Sequence, residues 1–174
     1  MEVHERWTER GQGWPTADEL AQRAFGTDLL ILPDLVEVKA DGTTIASFRE
    51  EAQAFRVDAL RAGLTVDLVA PDGSERAAYR EHAADWVLPV LLAGPVPVVV
   101  TLITNRIQRW MDDRAEGDPV PTVRYREAHI EDGKIRVREL EGLADEVAKM
   151  LLQQSSASVL ESADDQPQAG DETS

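Results

Sequence analysis

The chain has 174 residues, with 33 Asp and Glu against 18 Lys and Arg for a formal charge of −15, 43% apolar residues, 5% aromatics and no cysteine. The absence of thiols excludes disulfides, iron–sulfur clusters, Cys-ligated zinc and thiolate nucleophiles, and the acidity argues against a surface that tracks nucleic-acid phosphates. The length predicts one domain able to bury its own core, and fifteen arginines to three lysines beside abundant Ala, Val, Asp and Glu is the usage of a GC-rich genome.

Residues 1–15 are polar, contain Trp7 and Trp14, and are expected to form a flexible arm. With neither a basic region nor an apolar one at the start, the expected location is cytoplasmic. Thr16-Ala-Asp-Glu19 is a capping box opening a helix over 17–25, with Leu20, Ala21, Ala24 and Phe25 on one face and Gly26 at the stop. The apolar run 29–40, interrupted by Pro33, meets 43–48 through Asp41-Gly42, a dipeptide of type I′ hairpin turns; a two-residue loop would set Val38 opposite Ile45. Ser47 and Glu50 repeat the capping-box spacing, and Phe48, Ala52, Phe55 and Ala59 form a stripe, which predicts a helix over 48–62. Leu64, Val66, Leu68 and Ala70 alternate as a third strand, closed by Pro71-Asp72-Gly73.

Ser74 is placed to cap a helix running through Tyr79, Ala83, Trp86, Val87 and Val90, kinked or ended at Pro89. Beyond Pro97, Val99, Leu102, Ile103, Ile107, Trp110 and Met111 hold one face of an amphipathic helix, against Thr101, Asn105, Gln108, Arg109 and Asp112. Residues 122–131 and 134–140 flank Asp132-Gly133, which pairs Ile130 with Ile135 and Ala128 with Val137 on one face. The other face pairs Glu131 with Lys134 and Glu127 with Arg138. Leu140, Leu143, Val147, Met150 and Leu151 predict a closing helix over 141–153. Residues 155–174 carry five acids and no base and are expected to be a disordered acidic tail, leaving residues 1–154 at −10. These elements predict a single α+β domain over 16–154, with two β-hairpins and a further strand in an antiparallel or mixed sheet packed by helices.

The nineteen residues from Trp86 to Thr104 carry no charge, which is long enough for a membrane helix. Pro89, Pro95, Pro97 and Gly94 cut the run into pieces too short to cross. Its second half continues into a helix with a polar face, and a span would strand the C-terminal hairpin and helix alone. The favoured expectation is a buried helix–turn–helix; the alternatives seat 86–104 on a membrane or bury it in a homo-oligomer.

Chemistry-bearing motifs are absent: the chain has no GxxxxGK[ST], GxGxxG, GxSxG or HExxH, and no cofactor or metal is implied. Glu81, His82 and Asp85 share one helical turn in the predicted helix, but they also form the polar side of that helix. His129 falls on the charged face of the hairpin, opposite Arg136, and His4 lies in the arm. The partner-binding candidates are Trp7 and Trp14, as aromatics on an arm, and Arg106, Arg109, Trp110 and Met111, as a patch on the amphipathic helix.

The order formed by LTVDLVAPDG, WVLPVLLAGPVPVVVTLITNRIQRW, TVRYREAHIEDGKIRVREL and EGLADEVAKMLL resembles the effector-associated constant component proteins of actinobacterial NTP-dependent conflict systems. The likeness covers about 48–152 and rests on element order, hydrophobic placement and the Trp-Arg edge of the helix. It implies an accessory, non-enzymatic protein working beside proteases or NTPases. Together with the missing chemistry, this leads to the expectation of a non-catalytic binding or adaptor protein, steered toward a protein partner with a basic surface. The rival reading is a peripheral membrane component, and an enzyme using Glu81, His82 and Asp85 comes third.

Overall fold

A computed structural model describes residues 2–9, 13–79, 86–92, 96–119 and 121–164. The chain runs through β1 (His4–Glu9), α1 (Ala17–Ala24), β2 (Leu29–Ile31), β3 (Leu35–Val38), β4 (Thr44–Arg49) and α2 (Glu50–Arg61). It continues through β5 (Val66–Leu68), β6 (Glu75–Tyr79), β7 (Trp86–Leu92), α3 (Val96–Asp112), β8 (Thr122–Glu131), β9 (Lys134–Leu143) and α4 (Ala144–Asp164). A six-stranded mixed sheet has the order β1-β9-β8-β7-β2-β5, and a three-stranded sheet has the order β3-β4-β6. Together with the helices they form one α+β domain.

The C-terminal hairpin takes the expected register in full, with Ile130 opposite Ile135, Ala128 opposite Val137, Glu127 opposite Arg138 and Glu131 opposite Lys134. Its turn residues Asp132 and Gly133 both adopt left-handed backbone, with φ 50° and 71°, as a type I′ turn demands. Helix α1 also forms as expected: the Thr16 hydroxyl accepts from the Glu19 N–H while the Glu19 carboxylate accepts from the Thr16 N–H.

The two faces of the large sheet bury different sets of side chains. On one face, Leu29, Ile31, Val90, Val123, Tyr125 and Leu140 pack with α2, α3 and α4 through Phe55, Val99, Ile103, Ile107, Val147 and Leu151. On the other face Leu30, Leu32, Val69, Ala128, Ile135 and Val137 pack with Trp14, Ala17 and Leu20. Phe48 and Ala46 of the small sheet join the first set, so α2 holds the two sheets to one core.

Several sequence expectations are corrected. Residues 4–9 are strand β1, paired along its length with β9, so this part of the expected arm is an element of the sheet. The run 29–40 is divided at Pro33: β2 joins the large sheet, and only β3 forms the hairpin with β4. Lys39 N–H donates to Thr43 O at 2.8 Å, which lengthens the turn and sets Val38 opposite Thr44 instead of Ile45. Helix α2 starts at Glu50 on Arg49, without the Ser47 cap, because Ser47 is held in the ladder opposite Leu35.

The helix expected from Ser74 is replaced by strands. Residues 75–79 run parallel to β4, and 86–92 form β7 between β8 and β2. Pro89 is tolerated in β7 because the β2 register begins only at Val90, which leaves its other edge without a ladder partner. Within the apolar run, 86–92 are therefore strand β7, between β8 and β2 in the large sheet, and 96–104 belong to α3, in place of two helices. Among the described residues no helix is long and apolar enough to cross a membrane. Helix α4 continues to Asp164, into the region expected to be tail.

Phe55, fully buried where α2 meets both sheets, supplies a test of this packing. The Phe55→Ala variant should lose about 3–5 kcal/mol of unfolding free energy in urea titration, the ordinary cost of an aromatic-sized cavity.

Candidate functional site

The β1-β9-β8 corner gathers most of the polar organisation of the domain, because strand alternation sends odd residues of β8 to one face and even residues to the other. On the odd-numbered face, buried Tyr125 donates its hydroxyl to Glu127 Oε2 at 2.9 Å. His129 Nε2 lies 2.9 Å from Glu127 Oε1, a charge contact not aligned as a hydrogen bond. Arg138, opposite Glu127, donates to Glu5 at 2.9 Å and also to Gln154 of α4. The Trp7 ring lies 5.3 Å from the His129 ring, and the Arg136 guanidinium stands 4.8 Å from the Trp7 centroid. Trp7 nonetheless remains 43% exposed.

On the even-numbered face, Glu139 is 4% exposed and is approached by Arg6, by Arg126 at 3.2 Å and by Arg124 at 3.8 Å. Three guanidinium groups around one buried carboxylate offset its desolvation, and Arg6 adds a tie from β1 to β9. Arg126 also stands 5.4 Å from the centroid of Trp14.

The two arm tryptophans thus diverge. Trp14 is 4% exposed, in the second apolar cluster, and its Nε1–H donates to Pro33 O at 2.9 Å, so its assignment to a partner is corrected to a core role. Only Trp7 of the pair offers surface. At the end of β1 it borders a hollow of about 690 Å³ that is also lined by Thr8, Glu9, Thr16, Ala17, Lys134, Ile135 and Arg136.

The α3 candidates are divided in the same way. Trp110 and Met111 are half-buried against the main cluster, with Arg114 5.2 Å over the Trp110 ring. Arg106 donates to Asp58 at 3.3 Å, and Arg109, with its side chain 66% exposed, lies 3.8 Å from the same carboxylate. Trp110 and Met111 therefore serve chiefly as packing, whereas Arg109 is surface.

Among the described residues no group of three His, Asp or Glu side chains is arranged to hold a metal ion. Glu81, His82 and Asp85 lie outside the described residues. Both oxygens of Glu127 are committed, to Tyr125 and to His129, so this constellation fixes side chains beneath Trp7; the indole and Lys134 border the hollow beside it. His129 was assigned only to a solvated face by its alternation, because the strand that covers it lies more than a hundred residues away in the chain. No family model matches this chain, and neither a curated protein nor a solved structure matches it.

The Glu127 carboxylate raises the pKa of His129 above its ordinary 6.5, against partial burial. Burial alone would raise Glu127, but His129, Tyr125 and Arg138 together hold it below its ordinary 4.5. The histidine's contribution to stability is complete below 6.5 and is lost as pH rises through its elevated value; the carboxylate's is present above 4.5 and is lost on acidification. The pair therefore stabilises most between about pH 4.5 and 6.5. Urea midpoints measured across pH should show His129→Gln costing most inside that window and progressively less on the alkaline side.

Proposed function

We propose that the chain is a non-catalytic binding protein that engages a protein partner through Trp7 at the open edge of the six-stranded sheet. The observation that supports this reading best is the state of that indole. It is 43% exposed, yet it rests against the His129 ring and the Arg136 guanidinium. An exposed aromatic with its orientation already set loses little entropy on contact, which is the usual character of an interface anchor. The hollow beside it has room for a partner's side chain. Strand β1 is the last in the sheet order, so its outer backbone edge is also available to an extended segment.

The charges lining that corner largely cancel, with Lys134 and Arg136 against Glu9 and Glu131. Long-range attraction therefore comes from the whole chain, at −15, and selects a partner with a basic surface. The sequence-level resemblance to effector-associated constant components supports reading the chain as an accessory of a bacterial conflict system, one that joins other components without performing chemistry.

The test is site-specific photo-crosslinking in cells, with p-benzoylphenylalanine at position 7 and, as the buried control, at position 14. A discrete adduct with another protein from position 7, absent from position 14, supports the reading. Equal labelling from both positions, or none beyond background from position 7, refutes it.

A further inference from the structure

Helices α2 and α3 present a second surface, far along the sheet order from Trp7 and unused by the reading above. Asp58 meets Arg106 and Arg109, while Arg61, one turn further along α2, borders a recess of about 180 Å³ together with Leu102, Asn105 and Arg109. A groove therefore lies between the two helices. The α3 wall consists of Val98, Leu102, Asn105 and Arg109, spaced i, i+4, i+7 and i+11 on one line of the helix. On α2, Val57 stands one turn before Arg61 on the same side.

Two features make this groove unlike ordinary solvated helix surface. Val57 and Val98 are 42% and 44% exposed, so aliphatic area is left open on both helices. Arg106 and Arg109 share the carboxylate of Asp58 and Arg61 lines the same recess, so three guanidinium groups stand about one carboxylate there, on a chain of −15. Beyond about 8 Å at physiological salt the opposing field of the rest of the molecule is screened, and the contact feels the local surplus.

We propose that this groove seats an amphipathic helix of a partner protein, with aliphatic side chains over Val98, Leu102 and Val57 and carboxylates toward Arg61 and Arg109. A third helix is the shape that packs into the furrow of a helix pair. Charge complementarity makes its flank acidic. A second copy of this chain is disfavoured, because a two-fold contact through the groove would set Arg61 and Arg109 against the same arginines.

The probe is a fluorescent peptide of about sixteen residues, roughly four turns, with leucines at i, i+3, i+4 and i+7 and glutamates elsewhere; the control replaces every glutamate by lysine. Binding of the glutamate peptide should be saturable, shift backbone amides of α2 and α3, and weaken at least about tenfold, or about 1.4 kcal/mol, in the double variant R61E/R109E. Trp7→Ala should leave it unchanged, which separates this surface from the β1 edge. Both arginine side chains point to solvent, and R61Q/R109Q, expected to bind at an intermediate strength, gives the same readout with a milder change. No saturable binding, equal binding of the lysine peptide, or shifts confined to β1 and β9 would overturn the proposal. So would sedimentation showing a dimer that R61E/R109E converts to monomer, since the occupant would then be a second copy.

Discussion

The register of the β8–β9 hairpin is the constraint on which the rest of the domain depends. Asp132 and Gly133 take the left-handed conformations that a two-residue turn requires, and from there every cross-strand pair follows in step. A slip of one residue would exchange the faces and carry Tyr125 and Leu140 out from under α3 and α4. The same register puts Glu139 where Arg6, Arg124 and Arg126 converge, and Glu127 between Tyr125 and His129. Local turn chemistry thus fixes an apolar core and two polar clusters at once.

Charge is distributed with the same economy. The chain is strongly acidic as a whole, but its buried or half-buried carboxylates sit among arginines, at Asp58, Glu127 and Glu139. Arginine suits this use, because its guanidinium stays charged and its planar fork serves a carboxylate and an aromatic face together. Arg126 spans Glu139 and Trp14, and Arg136 spans Glu131 and Trp7. Solvent-facing acids dominate elsewhere, so the surface combines an acidic field with small cationic contacts.

What the sequence discloses follows the range of the interactions involved. The hairpin, helix α1 and the core stripe of α3 are specified by residues within a few positions of one another, and each was legible. Strands β6 and β7 were not, because ERAAY and WVLPVLL carry no decisive period and owe their conformation to parallel pairing with β4 and β8. The Ser47 to Glu50 spacing misled for the same reason: the ladder opposite Leu35 claimed Ser47 before the helix. Trp7 and Trp14 look alike in sequence, and what separates them is a carbonyl at Pro33 for one and an edge strand against β9 for the other. The α2–α3 groove left a trace in the linear spacing of Val98, Leu102, Asn105 and Arg109, but its α2 wall could not be aligned with it before the helices were placed.

The pairing of β1 with β9 joins His4 to Glu141 and Glu9 to Arg136, almost from one end of the sequence to the other. Strand β7 likewise waits between β2 and a β8 that is synthesised later. During translation the first half of the chain can form α1, the β3–β4 hairpin and the β2–β5 pair, but β1 has no partner until the ribosome has passed Leu143. Such long-range closure makes folding slow. The exposed tryptophan is therefore presented only once the β8–β9 hairpin has closed, since the strand that carries it is pinned by β9.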